Sequence, residues 1–140
     1  MTTSTDSLIH DLYDRLNRRD ASVIAERFHE DLLDHTSHGE IKGREAHSKH
    51  VLAGIEAFPD MRFDLAEVFS SGDRAVVRGR LSGTHRGPFM GAPPTGKSFS
   101  IDWMAVYRFQ DGKIAERWLQ ADDLGMMVQL GFVHLPGAGA

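Results

Sequence analysis

The sequence predicts an α+β fold in which a curved antiparallel sheet packs against helices on one face. Apolar residues recur at helical spacing through residues 8–58, whereas alternating segments joined by hairpin turns occupy residues 61–121. The length of 140 residues suits a single domain covering residues 1–140. A strongly curved sheet with helices beside it leaves a concave pocket, so one ligand pocket is expected.

Three helices are predicted in the first half. The first carries an apolar stripe over residues 8–16 and begins at Ser4 or Thr5, which can cap it. Asp20 can cap a short second helix, and a third follows Gly43 and ends before Pro59. The segment 31–39, which is rich in Asp, His, Ser and Gly, is expected to be a short, turn-rich connection.

The second half alternates as strands do. Strands are predicted over 61–69, 75–81, 99–109 and 114–121. Hairpin turns are expected at 70–73 and at 110–112, where Asp111-Gly112 is a strong turn signal. Residues 83–97, with four glycines and three prolines, form a long loop. A last helix is expected over 123–130, stopped by Gly131.

Composition excludes several classes of function. The net charge is −4 and Lys and Arg do not cluster, so a nucleic-acid partner is not expected. With no cysteine there is no disulfide, no thiolate nucleophile and no Cys-based metal site. No apolar run approaches the ~18 residues of a membrane span, and the amino terminus does not resemble a signal peptide. A cytoplasmic protein without a membrane partner is therefore the expectation.

One sequence motif is rejected on chemical grounds. Residues 91–98, Gly-Ala-Pro-Pro-Thr-Gly-Lys-Ser, match the phosphate-binding loop pattern letter for letter. Such a loop needs backbone N–H groups and a helix behind it, but Pro93 and Pro94 have no N–H and a strand is predicted next. Nucleotide binding is not expected, and the segment is interpreted as a stiff loop over a pocket mouth.

Residues 114–122 are the most informative stretch for a site. Strict alternation places Ile114, Glu116, Trp118, Gln120 and Asp122 on one face, an apolar surface with a few polar groups, as ligand pockets have. A carboxylate beside an aromatic wall is partly desolvated, which raises its pKa toward the range useful for acid–base catalysis. The alternative is that Asp122 caps the last helix, unless Asp123 does so. The residues alone leave both open.

Histidines supply further candidates. His35, between Asp34 and His38, could donate to a substrate carbonyl or could be a surface residue. The H-x-x-H spacings of His35 with His38 and of His47 with His50 are weak evidence for zinc, which needs three or four ligands, so no metal is predicted. His85 opens the long loop and could reach the pocket mouth or lie in solvent.

Asp102 and Arg108 share one face of their predicted strand. Their simplest role is pairing with opposite charges across neighbouring strands. The sharper alternative is a water-activating site that Asp102 and Arg108 form with Asp122.

Several segments carry a family resemblance. These are 58–61 (FPDM), 83–96 (GTHRGPFMGAPPTG), 111–118 (DGKIAERW), Asp122 with Leu124-Gly125, and 129–131 (QLG). In this order they resemble the SnoaL-like polyketide cyclases, also called the ester cyclase family. The resemblance implies a nuclear transport factor 2-like fold, a cone-shaped α+β barrel with a deep pocket. It also implies a homodimer or higher oligomer.

The resemblance also implies a chemistry. Asp122 stands where the family has its general acid–base, and His35 where it commonly has a pocket-facing histidine; no metal or cofactor takes part. The resulting hypothesis is a cyclase acting on a small apolar carbonyl substrate. We expect the substrate to be bound by six residues: Trp118, Gln120, His85, Phe89, Met90 and Asp102. The alternatives are an epoxide hydrolase-like or hydroxylase-like enzyme using Asp102, Arg108 and Asp122, and a non-catalytic binding protein.

Overall fold

A computed structural model describes residues 4–137. Ten elements follow one another along the chain: α1 (Thr5–Asn17), α2 (Ser22–Arg27), β1 (Phe28–Thr36), β2 (Gly39–Lys42), α3 (Arg44–Ala57), β3 (Arg62–Ser71), β4 (Arg74–Thr84), β5 (Ser98–Gln110), β6 (Lys113–Ala121) and α4 (Asp123–Gln129). The predicted α+β class is confirmed, with helices first and hairpin-connected strands after.

The six strands form one sheet in the order β2-β1-β6-β5-β4-β3. Every neighbouring pair is antiparallel except β1 and β6, which run parallel. The sheet curves but does not close, and its two edges are β2 and β3. The concave side faces the helices, so all buried positions of β5, from Phe99 to Phe109, lie on that side.

The helices cover the concave face because their apolar stripes match it. Helix α1 buries Ile9, Leu12, Tyr13 and Leu16 against β3 and β4, and Ser4 begins it by accepting a hydrogen bond from the Ser7 N–H at 3.2 Å. Helix α3 lies against β1 and buries His47 and Ala57. The apolar core therefore lies between α1, α2 and the middle of the sheet.

One predicted element is wrong. The segment 31–39, expected to be a turn-rich connection, is mostly strand β1, and only residues 37–38 form a turn. The prediction failed because a segment with charged residues was expected to be an exposed turn, whereas the carboxylate of Asp34 is fully buried. β1 pairs with β2 on one side and with β6 on the other, so it extends the sheet beyond the four strands expected.

Candidate functional site

An apolar cavity of about 390 Å³ lies at the open end of the curved sheet, between its concave face and α3. Most of its wall residues are apolar, and six of them come from the end of α3, the start of β3 and strands β4, β5 and β6: Phe58, Met61, Leu81, Phe99, Ile101 and Leu119. A cavity of this size and character suits a small organic ligand. A second, wider groove of about 860 Å³ between α2 and α3 is polar and open to solvent, so it offers little enclosure.

The loop between β4 and β5 forms one wall of the cavity. Phe89 and Met90 line it, and their binding of a substrate stays a prediction. The backbone N–H groups of Arg86 and Gly87 both donate to the carbonyl oxygen of Ala57, at 3.0 and 3.1 Å, and so fasten the loop to the end of α3. Residues 91–97 run directly into a strand, so no helix follows the motif that mimics a phosphate-binding loop.

His85 lies behind this wall instead of in the cavity lining. Its side chain is fully buried, and its Nδ1 accepts a hydrogen bond from the Thr95 N–H at 3.2 Å. Its ring packs against Phe58, Phe89 and Phe132. His85 therefore shapes the loop from within, and the structure does not place it where a ligand in the cavity would touch it.

The polar groups of the cavity gather at one end. The turn between β1 and β2 contributes His38, α3 contributes His50, and α4 contributes Asp123. The Nε2 atom of His38 lies 3.8 Å from Oδ2 of Asp123. Partial burial, together with the nearby Arg117 charge, lowers the pKa of His50. The site thus combines apolar walls with a carboxylate and two imidazoles, the groups needed to move a proton.

Asp122 and its neighbour have the reverse of the predicted roles. Asp122 is the N-cap of α4, where its Oδ1 accepts a hydrogen bond from the Gly125 N–H at 2.9 Å, and its side chain is exposed. Asp123 lines the cavity instead. The expectation that the Asp122 carboxylate faces the pocket is therefore wrong, because the helix start uses that carboxylate. Its part in any reaction stays a prediction.

A β-bulge inverts the predicted face of β6. Arg108 pairs with Glu116, but the next residue, Phe109, pairs with Ile114, so Ala115 is an extra residue on β6. An extra residue shifts the alternation by one, which moves every following side chain to the opposite face. Trp118 and Gln120, predicted to bind substrate, consequently lie on the convex face of the sheet.

The convex face has a polar cluster of its own. The His35 ring stacks on Trp118 with centroids 5.3 Å apart, and its Nε2 lies 2.7 Å from Oε2 of Glu116. Arg108 donates to the other oxygen of Glu116 at 3.1 Å. The hydrogen bond with His35, aided by Arg108, lowers the pKa of Glu116. His35, predicted to face the pocket, is therefore on the other side of the sheet from it.

Asp102 also lies on the convex face. It is largely exposed and sits 3.3 Å from Arg80, its cross-strand partner. Pairing across strands, the simpler of the two roles predicted for Asp102, is the one observed. Asp102 and Arg108 are separated from the cavity by the sheet, so the predicted water-activating site of Asp102, Arg108 and Asp122 is not assembled.

The sequence reasoning missed a buried ionic cluster of Asp34, His47 and Arg117. The guanidinium of Arg117 holds both oxygens of Asp34 at 2.8 Å, and the Nδ1 of His47 lies 2.9 Å from Oδ2 of Asp34. All three side chains are buried. One signal for it existed in the sequence, since Arg117 stands between the apolar residues Ala115 and Leu119.

Burial and pairing set the charges of this cluster. Desolvation opposes ionisation of Asp34, but the hydrogen bonds from His47 and Arg117 outweigh it and hold the pKa of Asp34 well below its usual range. Burial, with the Arg117 charge beside it, lowers the pKa of His47. The cluster is therefore an ion pair with a neutral imidazole that donates through Nδ1. Within residues 4–137, no three His, Asp or Glu side chains converge as metal ligands would.

Comparison with known proteins decides the family. The family model of the SnoaL-like polyketide cyclases matches residues 7–130. The chain belongs to the SnoaL-like polyketide cyclase family. No curated protein sequence matches this SnoaL-like protein closely enough to count as a relative. Among the described residues, no helix is both long and apolar enough to cross a membrane.

Solved structures similar to this SnoaL-like protein support the same assignment. IdmH from Streptomyces antibioticus, a proposed polyketide cyclase, is 30% identical, with a TM-score of 0.79 over 91% of this chain and 99% of its own. AclR from Streptomyces galilaeus, a proposed hydroxylase, is 29% identical, with a TM-score of 0.83 over 91% and 96%. TsrD from Streptomyces laurentii, at 24% identity and a TM-score of 0.81 over 94% and 100%, shows the shared fold.

Proposed function

We propose that this protein is a polyketide cyclase-type enzyme that moves a proton on a small apolar carbonyl substrate in the 390 Å³ cavity. The observation that carries the proposal is the division of that cavity into apolar walls and one polar end. The walls can pack on rings, and the polar end holds Asp123, His38 and His50 where a carbonyl group would lie.

Asp123 is the acid–base group in this proposal. Its carboxylate takes a proton from the carbon next to the substrate carbonyl and leaves an enolate. The enolate carbon then attacks a second carbonyl carbon, a carbon–carbon bond closes the ring, and the new alkoxide takes the proton back from Asp123. His50, neutral at pH 7 because its pKa is lowered, donates an N–H to the developing enolate oxygen.

Two matched variants test the assignment. Asp123→Asn removes the base, whereas Asp122→Asn keeps the cap of α4, because Asn caps helices as well as Asp does. We expect Asp123→Asn to lower turnover about 10²–10⁴-fold and Asp122→Asn to stay near the wild-type rate. The measurement is deuterium exchange at the carbon next to the carbonyl of 2-tetralone, a bicyclic ketone, followed by NMR.

The opposite result has a clear meaning. If Asp122→Asn loses activity and Asp123→Asn does not, the acid–base group is Asp122, as the family resemblance implies. If 2-tetralone binds equally to the wild type and both variants and none of them exchanges its protons, the protein is a binding module.

A further inference from the structure

The buried cluster of Asp34, His47 and Arg117 adjoins the polar end of the cavity. Each member lies two or three residues before a cavity-lining residue of its own element: Asp34 before Thr36 in β1, His47 before His50 in α3, and Arg117 before Leu119 in β6. The cluster thus joins β1, α3 and β6, and each of these elements lines part of the cavity.

Stability is a poor explanation for such a cluster. Asp34 and His47 are 0% and 2% exposed and Arg117 is 9% exposed, so all three groups are removed from water. Replacing a buried ion pair by apolar residues of similar volume is often neutral or stabilising. Apolar residues do not fix the orientation of the groups they contact, whereas bidentate hydrogen bonds fix both distance and angle.

The hydrogen bonds of the cluster join different pairs of elements. The two bonds from Arg117 to Asp34 join β6 to β1, which are already paired as strands. The bond between His47 and Asp34 joins α3 to the sheet, where no backbone ladder exists. Two other hydrogen bonds, from Gly43 N–H to the Leu32 carbonyl and from Arg44 to the Phe28 carbonyl, hold only the start of α3. His47 is therefore the buried side-chain link nearest to His50, and it acts on the position of that residue.

We propose that the Asp34–His47–Arg117 cluster is a positioning device for the polar end of the cavity, with His47 as the residue that aligns α3. It holds His50 and His38 in place around the substrate carbonyl but does not touch the substrate. The kinetic part of this proposal rests on the proposed function, whereas its structural part does not.

Three variants of the full-length protein separate alignment from packing. His47→Ala removes the link, and His47→Asn restores an N–H donor close to the place of Nδ1. Phe28→Leu is the packing control, because the Phe28 ring packs against His47 in a tilted arrangement, with centroids 4.4 Å apart, and does not bond to Asp34. Each is measured by exchange of 2-tetralone protons, by the ring NMR resonances of His38 and His50, and by thermal unfolding.

Alignment predicts a specific pattern. His47→Ala should lower kcat on the order of 10²-fold, as small misplacements of reacting groups do, with little change in KM, and should shift the His50 resonances. His47→Asn should recover most of both. Phe28→Leu should lower the unfolding temperature but leave kcat and the His50 resonances at their wild-type values.

The opposite pattern overturns the proposal. If folded His47→Ala keeps wild-type kcat and wild-type His50 resonances, the cluster has only a structural role. If wild-type protein does not exchange 2-tetralone protons, the proposed function fails. The His50 resonances of the wild type and His47→Ala then still test whether His47 positions α3. If His47→Ala does not fold, the apolar triple variant Asp34→Leu/His47→Leu/Arg117→Met replaces it, and wild-type resonances in that variant contradict the proposal.

Discussion

At the scale of single residues, His47 is a titratable group removed from water. It is buried between the Phe28 ring and the carboxylate of Asp34, with the charge of Arg117 nearby. Burial and that charge lower its pKa below the ordinary value of 6.5. The folded protein therefore holds fewer protons than the unfolded chain just below that pH.

This difference predicts a pH-dependent stability. As the pH falls from 7 to 5, His47 takes up a proton more readily in the unfolded chain than in the folded protein. Protonation therefore favours the unfolded chain, and the unfolding temperature should fall. His47→Asn should flatten this fall, because the Asn side chain does not titrate. Thermal unfolding between pH 5 and 8 measures the slope, and equal slopes for the wild type and His47→Asn would contradict the expected burial.

Asp34 should add a second loss at lower pH. Its pKa is depressed in the folded protein, so its stabilising contribution is complete above its ordinary value of 3.8 and is lost as the pH falls below that value.

At the scale of elements, the loop between β4 and β5 depends on one close approach. A Cβ added to Gly87 would lie 2.2 Å from the carbonyl oxygen of Glu56 at the end of α3. Backbone atoms cannot give way as a flexible side chain can, so only glycine fits here. The loop that carries Phe89 and Met90 can therefore rest directly on α3.

Gly87→Ala should push the loop between β4 and β5 away from α3. We expect a loss of about 1–3 kcal/mol, the usual cost of overpacking, and faster cleavage by a protease within residues 88–97. Urea unfolding and limited proteolysis measure the two effects. Gly54→Ala is the control, since its methyl group would meet only the flexible end of Met61, at 3.2 Å, and should change stability by no more than about 1 kcal/mol.

At the scale of the whole molecule, the convex face of the sheet carries the features of an interface. Within the described residues 4–137 no helix packs on it, and it exposes Phe69 and Met104, which are 55% and 52% exposed. Trp118 lies there between His35 and Arg74. Aromatic residues, Met and Arg are the residue types enriched in interfaces. We propose that a second copy of the chain covers this face, which would account for the homo-oligomer that the family resemblance implies.

A charge at the centre of this face should separate the copies. Met104→Glu should raise the dissociation constant of the homodimer by at least about tenfold, because central interface residues contribute ~2 kcal/mol or more. Leu52→Glu, an equally exposed position on α3, should not. Light scattering after size-exclusion chromatography measures the mass, and a monomeric wild type would rule out this expectation.

The sequence by itself determined the fold class and most elements. Helical spacing located α1 and α3, and the turn signals at 70–73 and 110–112 located two hairpins, because these patterns depend only on neighbouring residues. The long Gly- and Pro-rich loop between β4 and β5, interpreted from the sequence as lying over a pocket mouth, does line the cavity with Phe89 and Met90.

Only the tertiary structure decided which face of β6 lines the cavity. The bulge at Ala115 depends on pairing with β5, a partner that local alternation cannot include, and it turned Arg117 inward and Trp118 outward. The choice between Asp122 and Asp123 followed from the start of α4, and the pairing of Asp34 with Arg117 joins residues 83 positions apart. The bulge and the pairing of Asp34 with Arg117 are set by contacts between distant segments, and the cap of α4 by a bond to Gly125 that strand alternation does not include, so the site exists only in the folded chain.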